Sequence, residues 1–258
     1  MPEAFSWSFV PRQGLVEGWD PRAKLLGTLL VGIALVVHHD PVWKGIQVAA
    51  LGVLWLSTRL GWPGLFRMAL VLAPLEVTTV LSQLMVPGPG PGWVRGLTLD
   101  LQIFGVVLVL TLLVRTTSPT ALVEGLERWL KPLERWRVPV HEAVLMFSIA
   151  LRFIPLLLEE FQAISRAQQS RGGGFVHGGV VSRVARLPAL VVPLFVSAIL
   201  RAQALGEAME SRGYRGAEGR TPLTPQRWSA RDIGVVGVAV AILVVSVYFM
   251  VFPGPGAW

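Results

Sequence analysis

The chain has no cysteine. Disulfides and thiolate metal sites are therefore excluded, and redox chemistry gives no hint of the compartment. Lysine is scarce: Lys24, Lys44 and Lys131 are the only ones, and none follows a glycine. That excludes a Walker-type phosphate loop, so any ATP involved must be bound by a partner. Charge of either sign is sparse, 15% of 258 residues, where a soluble domain carries about a quarter. What fills the gap is apolar: 53% of the residues are hydrophobic and the mean hydropathy is +0.58. This is the composition of a membrane protein. The first residues, MPEAFSWSFVPRQGL, are acidic and aromatic, unlike the basic-then-apolar pattern of a cleaved signal peptide.

The net charge of +7 is concentrated in one region. From Arg115 to Arg231 there are sixteen Lys and Arg against nine Asp and Glu, and the rest of the chain holds seven of each sign. Beside membrane spans, a basic block marks a cytoplasmic face more readily than a nucleic-acid site. No nucleic-acid partner is expected.

Five apolar stretches approach the length needed to cross a bilayer, roughly 17–25 residues. They lie at 25–37, 42–56, 65–86, 101–114 and 233–252, with PGPGPG at 87–92 as a loop that cannot continue a helix. Arg12, Arg22 and Lys24 precede the first stretch, Arg59 and Arg67 flank the second turn, and Arg115 follows the fourth; the intervening loops carry only Lys44 and Arg95. The alternation puts the N-terminus and the central region in the cytoplasm and the C-terminus outside. The expected fold class is an all-α integral membrane protein. It has about five transmembrane helices plus a cytoplasmic-facing domain of about three long, kinked helices. Its expected divisions are 1–116 with four spans, 117–230 with the long helices, and 231–258 with the last span.

The central region reads as helix, not linker. Thr117-Ser118-Pro119 offers a capping hydroxyl and an early proline. Leu122, Leu126, Trp129, Leu133 and Trp136 then form one stripe, with Pro132 predicted to bend it. A second helix is predicted from about Pro139 to Arg171 with a kink at Pro155, and a third from about 180 to Arg212 with Pro188 and Pro193 inside. Each passes from an apolar half to a polar one. Each ends in the same words: AQQSRGG at 167–173 and AMESRGY at 208–214, both Ala-x-x-Ser-Arg-Gly. Glycine just past a helix end and arginine in its last turn are ordinary stop signals. The repetition on consecutive helices points further, to two rigid tips whose guanidinium groups fit grooves on another protein.

Several stretches in order, GWDPRAKLL (18–26), LVRTTSP (113–119), LKPLERWRVPVHEA (130–143), ALRFIPLLLEE (150–160), both tips and RDIGVV (231–236), closely resemble the transmembrane (T) component of energy-coupling factor transporters. This is the EcfT/CbiQ family of ABC-type vitamin and trace-metal importers, and the likeness spans nearly the whole chain. The resemblance implies a non-catalytic subunit in the cell membrane of a prokaryote. It would join two cytosolic ATP-binding cassette subunits to a separate membrane substrate-binding subunit. Two coupling helices in the family end in Ala-Arg-Gly or a variant, and each tip docks one ATPase. Carried over, the docking residues are Ser170, Arg171 and Gly172, and Ser211, Arg212 and Gly213, with serine replacing the common alanine in both. The leader FVPRQGLVEGWDPRAKLL leans toward a module shared among several substrate-binding subunits.

Glu76 is an ionisable residue inside the third stretch, with Thr78, Thr79, Ser82 and Gln83 nearby in sequence. It is either a contact for the substrate-binding subunit or a carboxyl hydrogen-bonded within the bundle. Arg152, in a greasy stretch, is expected near the headgroups. His38-His39-Asp40 reads as an outer helix end, since adjacent side chains diverge on a helix. His177 sits in the glycine-rich loop and His141 beside Pro139, and neither is read as a site. No catalytic, cofactor or metal site is expected. The alternatives are an integral membrane enzyme acting on lipid, which would need converging acid-base or metal-binding groups, and a permease with its own midplane pocket, for which Glu76 alone is thin support.

Overall fold

The computed structural model describes residues 18–38, 40–58, 61–88, 90–136, 138–171, 187–214, 216 and 229–252. Among these residues there are eight α-helices and no strand. They are α1 (Pro21–Val37), α2 (Pro41–Ser57), α3 (Trp62–Met85), α4 (Gly92–Thr116), α5 (Pro119–Leu130), α6 (Val140–Ser170), α7 (Pro188–Ser211) and α8 (Ala230–Val251). The local reasons lie in the sequence. Asp-Pro occurs just before both α1 and α2, where the Asp20 and Asp40 carboxylates accept from the backbone N–H groups of Arg22 and Val42. The proline occupies the first helical position, where its missing N–H costs nothing.

Four helices, α3, α4, α7 and α8, are long and apolar enough to cross a membrane by length and composition. Three of them match the expected stretches at 65–86, 101–114 and 233–252. The other two expected spans are α1 and α2, at 17 residues each, the short end of the spanning range. α7, grouped with the central helices by sequence, is the fourth long apolar helix. The proline-glycine run ends sooner than expected: α4 begins at Gly92, well before residue 101.

The chain divides into two compact units, residues 1–129 with 224–258, and residues 130–223. In the first, α4 packs against α1, α2 and α3, and α1 packs against α8. Leu35, Leu51, Trp55, Leu108, Val109 and Leu112 form its core. Several polar groups inside it pair across helices. Lys44 Nζ donates to Gln102 Oε1 at 2.6 Å, and Gln47 Nε2 and Trp43 Nε1 both donate to Ser246 Oγ at 2.9 Å. Such bonds tie α2 to α4 and α8 where no water would replace them. The outer skin is apolar instead, with no buried residue on α3 and Phe66, Leu70 and Val77 exposed along it. A lipid solvent explains that inversion.

α3 and α4 meet through Gly92 and Gly96, four residues apart. A β-carbon at Gly96 would lie 2.9 Å from Val80 Cα, and one at Gly92 would lie 2.6 Å from the Gln83 carbonyl oxygen. This is backbone-to-backbone approach, which small residues permit in membrane bundles. Arg95, on the same turn, donates from Nη2 to the carbonyls of Val86 (2.6 Å) and Gln83 (3.2 Å), closing the C-terminal end of α3. Gly96→Ala should push the two helices apart and destabilise the bundle by about 1–3 kcal/mol. Thermal denaturation of the purified chain in detergent measures the loss, and an unchanged midpoint would remove the close contact as a cause of the packing.

In the second unit, α6 packs against α7 and against a 3-10 turn at Lys131–Trp136. The stripe from Leu122 to Trp136 is therefore not one bent helix. α5 stops at Leu130, and the backbone tightens around Pro132, which lacks the N–H that an α-helix would need there. Trp136, the expected last member of the stripe, is exposed. Pro155 and Pro193 are accommodated inside continuous α6 and α7. The predicted start of the third helix near 180 lies outside the described residues.

Candidate functional site: two arginine-bearing helix ends

α6 ends at Ser170 and α7 at Ser211, and the next residue of each, Arg171 and Arg212, is the C-cap. The two caps have nearly the same backbone, φ −88° and ψ 11° at Arg171 and φ −86° and ψ 9° at Arg212. At the second tip Gly213 adopts φ +72°, the left-handed region open to glycine. Its N–H donates to Glu210 O at 2.9 Å, and the Tyr214 N–H donates to Met209 O at 3.0 Å. That pair of bonds is a Schellman closure. Gly172, its counterpart at the first tip, lies outside the described residues.

Ser170 Oγ donates to the Arg166 carbonyl (3.1 Å) and Ser211 Oγ to the Ala208 carbonyl (3.0 Å). Each hydroxyl is spent on its own helix, so serine acts there as a small residue, as the alanine of the family pattern would. Arg171 and Arg212 are exposed, and neither side chain has a hydrogen bond or ion pair among the described residues. Both guanidinium groups are thus exposed at the ends of their helices, without a side-chain partner among the described residues.

The helices run antiparallel. Gln168 near the end of α6 reaches the Ala189 carbonyl at the start of α7 (3.4 Å), and Arg201 Nη2 donates to Glu160 Oε2 at 2.9 Å. The two tips therefore lie at opposite ends of the pair. Glu160 and Arg201 are 41 residues apart, the same offset that separates Arg171 from Arg212. Each tip is thus eleven residues, roughly 16 Å of helix, beyond its own half of the ion pair. The pair joins equivalent positions of the two helices, with one tip projecting each way from it. The sequence carried the signal, the repeat at a spacing of 41, but only pairing in space shows that Glu160 and Arg201 meet.

A hydrogen bond from Ser197, helped by the Arg201 guanidinium, holds the Glu160 carboxyl below its ordinary value of 4.5, against a smaller opposing effect of burial. A depressed acid contributes stability that is present above its ordinary value and is lost as pH falls through the depressed one. The wild type should therefore hold an advantage over Glu160→Gln at neutral pH that disappears on acidification below about 4.5. Thermal unfolding of both proteins across pH 3 to 7 reads this, and a difference that persists in acid would assign the effect to shape instead of charge.

Three of the motif stretches also converge, in the first unit. The Asp20 N–H donates to Asp232 Oδ1 (2.8 Å), the Ser229 N–H to Asp232 Oδ2 (2.8 Å), and Lys24 Nζ to the Thr116 carbonyl (3.0 Å). Burial, and then the Asp232 carboxylate, raise the Asp20 carboxyl above its ordinary value, opposed by Arg128 and Lys24. GWDPRAKLL, LVRTTSP and RDIGVV are thus held together as one polar knot that ties the starts of α1 and α8 to the end of α4.

The remaining sequence candidates separate. Glu76 is half-buried on α3, while Thr78, Thr79 and Ser82 donate to carbonyls of their own helix. Its neighbour across the helix pair is Asp100 on α4, close enough to interact electrostatically, and nothing in the sequence spacing indicated it. Arg152 is exposed. The His38 ring packs on Phe249 at 5.9 Å and Asp40 caps α2; His39 and His177 lie outside the described residues. Among the described residues no group of three or more His, Asp or Glu could hold a metal ion.

Residues 13–223 match the family model described as CbiQ, cobalt transport protein. The chain is 36% identical over 256 residues to the energy-coupling factor transporter transmembrane protein EcfT of Bacillus subtilis (strain 168), covering 94% of this chain and 96% of that protein. It is 37% identical to the protein of that name from Brevibacillus brevis, over 93% and 95% of the two chains. With that from Heliobacterium modesticaldum it shares 40%, over 90% and 92%. A match of this length, on a helical membrane protein, leads to one assignment: the chain belongs to the EcfT/CbiQ family and is a membrane-embedded transmembrane component of an energy-coupling factor transporter.

Proposed function

We propose that this subunit transmits ATP-driven motion from two cytosolic ATPase subunits to a separate membrane subunit that binds the cargo, a vitamin or a trace metal. The observation that carries the reading is the matched pair of exposed arginines, one at each end of an antiparallel helix pair joined at equivalent positions. Two equivalent prongs pointing apart suit two equivalent receptors better than one. A groove that accepts Ser-Arg-Gly would pair the guanidinium with carboxylate or carbonyl groups, while the closed helix end resists bending. Motion applied at the tips would then pass along α6 and α7 as a hinge or shear. Serine at the position before each arginine is compatible with docking, because its hydroxyl is already bonded to its own helix.

The basic central region supports an arrangement in the cell membrane with the N-terminus and both tips on the cytoplasmic side and the C-terminus outside, in which α7, although long and apolar enough to cross, lies along the membrane surface with α6. In the same reading the module serves several cargo subunits, and Glu76 with Asp100 faces one of them.

The absence of cysteine makes the test clean. Single cysteines at Gln169 and Glu210, beside the two tips, should resist a membrane-impermeant thiol reagent in intact cells and react in inverted vesicles. Bifunctional reagents should then join each of them to an ATPase subunit. Labelling from outside intact cells, or cross-links to no ATPase at either position, would overturn the proposal.

A further inference from the structure

The first unit contains a cavity of about 610 Å³ between α1, α2, α4 and α8, within the roughly 300–1,000 Å³ of ordinary ligand sites. Its walls are mostly apolar, with Val31, Leu51, Leu112, Val235 and Ile242 among the lining residues; Thr28 and Gln47 are polar groups along them. The lining is polar at one end, where Trp19, Lys24, Thr116 and Arg231 gather. That end is where α1 and α8 begin and α4 finishes, beside the polar knot. Arg231 is exposed there and has no hydrogen bond or ion pair among the described residues.

The depth is informative. On α8 the lining runs from Arg231 to Ile242, eleven residues or roughly 16 Å of helix. This is close to half the hydrocarbon thickness of about 30 Å, so the cavity reaches one leaflet deep and stops. A mostly apolar slot of one-leaflet depth with a cationic, tryptophan-bearing mouth fits a phospholipid chain below a phosphate headgroup. A transmembrane helix of a partner would need apolar lining across both leaflets, whereas the lining on α8 ends at Ile242. We propose that this cavity holds one acyl chain of an anionic phospholipid from the leaflet at the polar-knot end, with the headgroup phosphate against Arg231. The lipid would fill space between α8 and the other helices that side chains leave open, completing the bundle.

Gly234 lines the slot, and a β-carbon there would meet nothing within 4 Å. Gly234→Leu therefore adds volume without a clash at its first atom. The full chain, released from nanodiscs of phosphatidylglycerol or phosphatidylcholine, is weighed by native mass spectrometry for tightly held lipid. Wild type should retain one phosphatidylglycerol in preference to phosphatidylcholine. Arg231→Gln should lower phosphatidylglycerol retention roughly fivefold, the effect of removing one cation near an anionic headgroup, while leaving phosphatidylcholine unchanged. Gly234→Leu should lower both. Equal retention by wild type and Arg231→Gln would overturn the proposal, and this arm stands even if the leucine variant fails to fold. Unchanged lipid but lost co-purification of a membrane partner in Gly234→Leu would show the slot to be a protein-docking site and would also overturn it.

Discussion

A chain carrying both Arg171→Ala and Arg212→Ala is expected to reach the membrane folded and to bind neither ATPase subunit. Both side chains are exposed and without partners among the described residues, so removing them breaks no side-chain bond among those residues. At an interface the loss is severe. Truncating one partner of a buried, hydrogen-bonded charge pair costs about 2–5 kcal/mol, and each 1.4 kcal/mol is tenfold in affinity. A single substitution leaves the other tip as a tether, so an assembled complex remains at high effective concentration and loses only part of its stability. The double variant has no tether. Co-purification of tagged subunits should fall modestly in either single variant and vanish in the double one, with cargo uptake following the same order. Wild-type assembly and uptake in the double variant would refute docking through these arginines. A serine control separates the roles within the tip: Ser170→Ala with Ser211→Ala should assemble normally, because each hydroxyl bonds only its own helix.

The second large effect is expected at Asp232, far in sequence from everything it holds. It is buried, and its two carboxylate oxygens accept from the backbone N–H groups of Asp20 and Ser229. Ser229 returns the favour, its hydroxyl accepting from the backbone N–H of Asp232 in a reciprocal capping box. Asp232→Ala strands two donors, one at the start of α1 and one at the start of α8. A hydrogen bond to a charged group contributes about 1.5–3 kcal/mol, so the substitution should cost roughly 3 kcal/mol or more. Asp232→Asn keeps one acceptor oxygen and should fall between the two. Thermal stability in detergent and protease resistance of the purified chain measure the series. If alanine and asparagine behave alike, the bonds to Asp20 and Ser229 are not what secures α8.

The two cases differ in how they could be read in advance. The tips were legible because a helix end is a local event: glycine for the left-handed turn, arginine before it, and an apolar helix leading in. Their repetition made them noticeable, and the docking role proposed for them comes from the family resemblance. Asp232 was visible only as part of RDIGVV, with no reason attached, because its partners lie 212 and three residues away and hydrogen bonds across helices leave no periodic trace. Asp100 beside Glu76 escaped for the same reason. The stripe from Leu122 to Trp136 failed differently. Its spacing suits one α-helix throughout, yet Pro132 removes a backbone donor and the chain tightens into a 3-10 turn. There a local backbone constraint outweighed hydrophobic periodicity.

By itself, then, the sequence determined the solvent, the helical class, most helix starts and the two arginine ends. Each of these follows from composition or from neighbours within a turn, where bonding is fixed by residues close along the chain. Tertiary structure decided what those pieces meet: Glu160 with Arg201, which sets the tips at opposite ends of one pair; Asp232 with Asp20; Gly96 with the backbone at Val80; and a one-leaflet slot beneath Arg231. Such contacts depend on which helix faces which and at what register. That choice is made by packing across the whole bundle, and no short stretch of chain contains it.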